Sequence, residues 1–193
     1  IRHDHSAMKV GTDGVLLGAW AAQEEDSQKK MRVLDVGVGT GLISLMLAQR
    51  FPYIQVTGID IDDSSVKQAR ENVEASKFKE RINVLKQDFR NIDYFFNKYD
   101  LIISNPPYIE TKVIPELSKE VRSEPELALD GGEDGLKLYR EIIKNAKEYL
   151  TENGYLVFEI GYDQRESVMT LRKDNGYKNI YSKKDLAGND RVV

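Results

Sequence analysis

The chain has no cysteine among its 193 residues, which excludes disulfides and thiolate metal sites. Histidine is nearly as scarce. His3 and His5 both lie close to the first residue, a poor setting for a metal site, and no metal is expected. No apolar run approaches the length of a transmembrane helix and no signal peptide is visible, so the expected compartment is cytoplasmic, with no membrane partner. An excess of positive charge is missing too. The net charge is −4 with both signs interspersed, which argues against a broad basic face for non-specific nucleic-acid binding. Repeats, low-complexity tracts and a second domain are not evident, and an initiating methionine is absent, so residues are expected to precede Ile1. What is present is 40% hydrophobic content in a length that suits one domain, 1–193, with a full core.

Met8–Gly14 reads as a glycine-bounded turn, followed by the apolar run Val15–Ala22 and a polar linker over 23–30. Strands and helices then alternate at short intervals, the sign of a parallel sheet with crossover helices. Strands are expected at Arg32–Val36, Gln55–Asp60, Ile82–Lys86, Leu101–Ser104 and Tyr155–Ile160. The first helix takes its apolar stripe from Leu42, Leu45, Met46 and Ala48. The second is capped by Asp63 or Ser64 and faces inward through Val66, Ala69 and Val73. Residues 109–134 are irregular and rich in Pro, Glu and Gly, a length that inside a compact domain is usually functional or mobile. A helix from Gly135 turns inward Leu138/Tyr139, Ile142/Ile143, Ala146 and Tyr149/Leu150, and Asn153-Gly154 turns into the next strand. Asp163 with Glu166 reads as a capping box for a helix to Asp174. Lys178–Ser182 and Arg191–Val193 are expected to form a closing antiparallel pair.

The most informative stretch is Leu101-Ile-Ile-Ser-Asn-Pro-Pro-Tyr108. Pro106 and Pro107 lack N–H groups and have fixed φ, so the chain cannot continue as a paired central strand. A stiff turn at the carboxyl end of a buried strand results, which is where open α/β sheets bind ligands. The tetrapeptide offers no useful nucleophile and no general base. It does offer acceptors for a flat –NH2 group, the Asn105 side-chain oxygen and the Pro106 carbonyl, with Tyr108 to stack on the plane carrying the amine. The competing reading of the tetrapeptide taken alone is a plain turn that ends a strand.

Upstream, Val33-Leu-Asp-Val-Gly-Val-Gly-Thr-Gly41 is a buried strand entering a glycine turn and a helix. Gly37, Gly39 and Gly41, with Val38 and Thr40 between them, let backbone pass close to a ligand, and the helix start offers free N–H groups. Asp60, followed by Ile61, ends the second strand, where an acid accepts the hydroxyls of a ribose. Asp88, followed by Phe89, ends the third, where an acid receives an adenine amino group beside an aromatic wall. Each carboxylate alone is equally a cap or strand-end residue. A dinucleotide site is the competing reading, but it prefers Gly-x-Gly-x-x-Gly. Here the spacing is Gly-x-Gly-x-Gly, and Asp35 would repel a pyrophosphate yet suit an ammonium. That points to S-adenosylmethionine.

Together these motifs resemble those of class I S-adenosylmethionine-dependent methyltransferases, in the branch that methylates planar amino nitrogens. The resemblance implies a Rossmann-like α/β fold, a seven-stranded mostly parallel sheet with the last strand antiparallel and helices on both faces. It implies that Asp35, Gly37–Gly41, Asp60, Ile61, Asp88, Phe89 and Asn105 contact the cofactor, which leaves as S-adenosylhomocysteine. Asn105, Pro106, Pro107 and Tyr108 would hold the target.

Residues 1–104 resemble bacterial tRNA(Val) adenine-N6 methyltransferases, on Ala7-Met-Lys-Val-Gly-Thr-Asp-Gly-Val-Leu-Leu-Gly-Ala-Trp20 and Glu80-Arg-Ile-Asn-Val84. Residues 105–193 resemble release factor glutamine methyltransferases. The matching pieces there include Glu124-Pro-Glu-Leu-Ala-Leu129, Glu159-Ile-Gly161 with Gln164, and Asp185-Leu-Ala-Gly188 with Asp190-Arg-Val-Val193. This split implies a chimera. Thr12 and Asp13 are expected to close the pocket from a covering segment, 1–30, and 109–134 to line the target mouth. The substrate implied first is the glutamine amide of a peptide chain release factor, with tRNA adenine behind it and an idle S-adenosylmethionine-binding protein as the non-catalytic alternative.

Overall fold

Short runs rich in Val, Ile and Leu make the strands, and helically periodic segments join them. The computed structural model describes residues 1–2, 12–23, 25–91 and 98–193, and for Thr12 and Asp13 the backbone alone. In chain order come α1 (Thr12–Trp20), β1 (Met31–Val36), α2 (Leu42–Arg50), β2 (Ile54–Asp60), α3 (Asp63–Glu74), β3 (Ile82–Lys86) and β4 (Tyr99–Ser104). After the turn at 105–108, a 3-10 segment (Thr111–Glu116) and two one-turn helices, α4 (Lys119–Arg122) and α5 (Glu126–Leu129), lead to α6 (Lys137–Ala146). β5 (Leu150–Phe158), α7 (Arg165–Asp174), β6 (Lys183–Lys184) and β7 (Asp190–Val192) follow. His3, His5 and the part of the expected turn up to Gly11 lie outside the described residues, and Thr12–Gly14 opens α1 rather than closing a turn.

The sheet has the order β3-β2-β1-β4-β5, with every pair parallel. Succession runs outward in one direction from β1 to β3 and in the other from β4 to β5, so the topology reverses between β1 and β4. The register sets the strand ends almost flush. Val36 stands opposite both Ile59 and Ser104, and Asp60 opposite Lys86. The middle strands are buried on both faces, which is why they read as near-continuous apolar runs; Leu101 and Ile103 pack into one cluster and Ile102 into the other.

The expected seven-stranded sheet is corrected to five parallel strands and, among the described residues, a separate antiparallel pair of β6 and β7. The last strand does run antiparallel beside the end of β5. Phe158 N–H donates to the Val193 carbonyl at 2.7 Å and Ile160 N–H to that of Arg191 at 2.9 Å. Only Glu159 and Val192 form a bridge there, too short a ladder to merge the pair with the sheet.

Several local expectations shift for identifiable reasons. In α2 the residues turned fully inward are Ile43, Ser44, Leu45, Leu47 and Ala48, whereas Leu42 and Met46 are half-buried. α1 lies on that second face, close enough that a Cβ on Gly18 would stand 2.9 Å from the Met46 sulfur. α3 is capped one residue early, by Asp62, whose side chain accepts from Ser65 N–H at 2.8 Å. The Asn153-Gly154 turn is a loop-out inside β5. Tyr99 pairs with Leu150 and Leu101 with Tyr155, so 151–154 bulge from one continuous strand that begins at Leu150. The closing pair forms at Lys183–Lys184 and Asp190–Val192 instead of 178–182 and 191–193. At α7 no capping box forms; Gln164 is the N-cap, in helical conformation, with no side-chain bond to the helix.

One glycine is required by close approach. Gly58 on β2 lies beneath the loop that leaves β1, and a Cβ there would stand 2.6 Å from Val38 Cγ2. Gly58→Ala is therefore expected to lower folding stability by about 1–3 kcal/mol through overpacking, read from urea denaturation.

Candidate active site

The flush strand ends bring the two strongest motifs together at the topological switch, where crevices form in such sheets. The loop after β1 takes left-handed φ at Gly37 (75°), Gly39 (53°) and Gly41 (81°), conformations that a side chain would strain. Gly37 and Val38 N–H both donate to the Ile59 carbonyl at 2.9 Å, which ties the loop to β2. Among the described residues, a side chain at Gly37 would meet nothing within 4 Å, so none of them packs against the backbone there. Val38 and Thr40 are buried, leaving their backbone as the part that can face a ligand.

Asp35 is 1% exposed. Its Oδ2 accepts from the Ser44 hydroxyl at 2.6 Å, while Oδ1 is enclosed with no hydrogen-bond partner among the described residues. Burial drives its pKa up to about 7, against the opposing pull of the Ser44 hydrogen bonds. Asp60 works as a brace. Its Oδ2 accepts from Gly39 N–H and its Oδ1 from Asp62 N–H, each at 3.0 Å, so one carboxylate fixes both the glycine loop and the entry to α3. Burial raises its pKa as well. Ile61, next in sequence, is 44% exposed and presents an apolar surface beside that carboxylate.

Asp88 lies two residues beyond β3, and Arg90 forks onto it, with Nε to Oδ1 at 2.9 Å and Nη2 to Oδ2 at 2.6 Å. The guanidinium holds this carboxyl below its ordinary range. The Phe89 ring is turned into the core, edge-on to Tyr149 at 5.8 Å. The aromatic wall expected beside Asp88 is therefore mostly inward packing.

The turn after β4 is held from several sides. Ser104, fully buried, donates from its hydroxyl to the Val36 carbonyl at 2.7 Å, and its own carbonyl accepts from Glu159 N–H at 3.1 Å. Asn105 is half-buried, and its Oδ1 is enclosed without a hydrogen-bond partner among the described residues. An enclosed amide oxygen of this kind is an unsatisfied acceptor that an N–H donor would satisfy. Pro106 is buried, Pro107 and Tyr108 half-buried, with Tyr108 against the second core cluster. The Tyr108 carbonyl accepts from Gln164 Nε2 at 3.0 Å. Downstream, Ile109 and Asp130 form an isolated parallel bridge that closes 109–130 into a compact loop.

The structure thus gathers Asp35, Gly37–Gly41, Asp60 and Ile61 with Asn105–Tyr108 at adjacent strand ends. The side chains of Thr12 and Asp13 lie outside the described residues. The roles of two participants were not legible from spacing: Ser44, which holds Asp35 from the buried face of α2, and Gln164, which the sequence offered only as part of the matching piece with Glu159-Ile-Gly161.

A model of the family described as "Methyltransferase domain" matches residues 27–190. A release factor glutamine methyltransferase of Fusobacterium nucleatum is 44% identical over 163 residues, 83% of this chain and 46% of its own length. A tRNA1(Val) (adenine(37)-N6)-methyltransferase of Bacteroides thetaiotaomicron is 40% identical over 177 residues, 89% of this chain and 68% of its own. Among solved structures, a methyltransferase from Pyrococcus furiosus shares the fold with a TM-score of 0.68 at 17% identity, over 100% of this chain and 84% of that one. The chain spans about half the length of the release factor methyltransferases first matched, 46% and 56%.

Proposed function

The chain belongs to the methyltransferase-domain family, and from that premise we propose that it transfers a methyl group from S-adenosylmethionine to a planar amino nitrogen. The observation that carries this reading is the enclosed Asn105 Oδ1 beside the glycine loop, without a hydrogen-bond partner among the described residues. Three features support S-adenosylmethionine as the cofactor: the space that the described residues leave over Gly37, the Asp35 oxygen without a hydrogen-bond partner among them and suited to an ammonium, and the exposed Ile61 beside Asp60 suited to a nucleoside. Bound there, it supplies a methyl carbon on a sulfonium, already a good leaving group.

The protein's share of the work is then mainly positioning. Asn105 Oδ1 and the Pro106 carbonyl would accept hydrogen bonds from the two amine hydrogens and so turn the nitrogen lone pair toward the methyl donor; as the N–C bond forms and the S–C bond breaks, one of those hydrogens leaves as a proton to solvent. Pro107 stiffens the turn and Tyr108 fixes the plane of the group. Asp60 holds the glycine loop, and Asp88 is available at its remaining lone pairs.

For the acceptor we favour the glutamine amide of a release factor. The loop over 109–134 carries eight acidic residues against three basic ones, a poor surface for a phosphate backbone and a suitable one for a polypeptide. We further propose, on the split resemblance of its two halves, that the chain is a chimera.

The test is calorimetric titration of S-adenosylmethionine, followed by labelled methyl transfer to a release factor and to an unmodified tRNA. Binding with label on the release factor is expected. Label on tRNA would give the acceptor choice to the N-terminal half, binding without transfer would mark an idle protein, and no binding would overturn the proposal.

A further inference from the structure

The start of α7 carries a side chain that the helix does not use. Gln164 occupies the N-cap position with φ −94° and ψ −1°, yet its amide makes no bond to the helix. It turns to three other segments. Nε2 donates to the Tyr108 carbonyl at 3.0 Å and to the Gly135 carbonyl at 3.2 Å, and Oε1 accepts from Gly161 N–H at 3.0 Å. Both amide hydrogens and the amide oxygen are thereby engaged.

These bonds join the turn after β4, the glycine loop before α6 and the residues just past β5, which are remote in sequence. The fit is tight. A Cβ on Gly135 would collide with the Tyr108 carbonyl oxygen and Gln164 Nε2, and a Cβ on Gly131 would stand 2.8 Å from the Tyr108 backbone. Ile109 N–H to Leu129 and Gly131 N–H to Ile109, at 3.1 and 2.8 Å, complete the docking of the turn onto this loop. Asparagine is one methylene shorter, and an ionised glutamate has no hydrogen to give to two carbonyls. The pattern of two donated bonds and one accepted bond selects glutamine.

We infer that Gln164 is a positioning residue that fixes the Asn105–Tyr108 turn, and through it the slot for the accepting amine. This inference rests on the proposal that the turn holds that amine. Gln164 touches neither the acceptor nor the donor; it acts through the Tyr108 carbonyl.

The test compares the unaltered chain with Gln164→Ala and Gln164→Glu by hydrogen–deuterium exchange, S-adenosylmethionine titration and steady-state methyl transfer. In Gln164→Ala, exchange over 105–111 and 131–136 is expected to rise, kcat to fall about 100-fold, and S-adenosylmethionine affinity to stay within about twofold. Gln164→Glu is expected to regain activity as pH falls, because a protonated carboxyl recovers one hydrogen for the Tyr108 carbonyl, a profile the unaltered chain does not share. Unchanged exchange at both segments would overturn the inference, as would parallel losses of kcat, cofactor affinity and melting temperature. If the unaltered chain methylates neither acceptor while Gln164→Ala still exchanges faster, the clamp stands and the functional proposal fails.

Discussion

Replacing Asn105 with alanine is expected to cut kcat for methyl transfer by about 10²–10³-fold and to leave S-adenosylmethionine affinity within about twofold, by analogy with removing one preorganised hydrogen-bond partner from a transition state. The reasoning rests on what the side chain does in the unliganded fold. Its Oδ1 is enclosed without a hydrogen-bond partner among the described residues, so its deletion strips none of them of a hydrogen bond to that oxygen. Removing an unsatisfied buried acceptor is close to neutral for folding. The melting temperature should therefore hold while turnover collapses, a combination that separates a role in the reaction from a role in the scaffold. Asn105→Asp keeps the shape and an acceptor but adds charge, and should fall between the two. A normal kcat in the alanine variant would remove the positioning role assigned to this turn.

The second large effect is on pH. Burial holds folded Asp35 at about 7, against an ordinary 3.8. Between those values the folded chain keeps a proton that the unfolded chain has released, so the Asp35 contribution to stability falls as pH rises through this window and is lost above it. Cofactor binding should run the other way. An ammonium beside Oδ1 favours the ionised carboxyl, so binding below pH 7 must expel the proton, and affinity should weaken by about tenfold for each pH unit below that point. Calorimetry in two buffers of different ionisation enthalpy would count the released proton directly. Asp35→Asn should flatten the dependence. Equal affinities at pH 5.5 and 7.5 in the unaltered chain would place the ammonium elsewhere.

Why these residues were readable in the sequence is itself physical. A buried parallel strand must be apolar throughout, and its end must be marked by residues that stop pairing, so Gly37, Asp60 and Asn105-Pro106-Pro107 announce the strand ends without help from the rest of the chain. Features that depend on a neighbour from far along the chain were not readable. The stripe read on α2 took in Leu42 and Met46, on the face under α1, and missed Ile43 and Leu47, because nothing in its own residues says that the helix is covered on two sides. Asn153-Gly154 read as the turn into a strand starting at Tyr155, since only the pairing of β5 with Tyr99 and Leu101 reveals a bulge. Asp88 looked free until Arg90 folded back onto it. Asp163 met the spacing of a cap, but the chain is already helical at Gln164 and that side chain is committed to Tyr108, Gly135 and Gly161.

The strand order has a consequence for how the protein is made. The four neighbours β3, β2, β1 and β4 are all complete once Ser104 has been added, whereas the strand that covers the outer edge of β4 begins only at Leu150. During synthesis, therefore, a nearly finished sheet waits with one side of a strongly apolar strand, Leu101-Ile-Ile103, unpaired. That interval, while the 105–149 stretch is being added, is when the nascent chain is most exposed to pairing with the wrong partner, and when a chaperone or a slower ribosome would matter most.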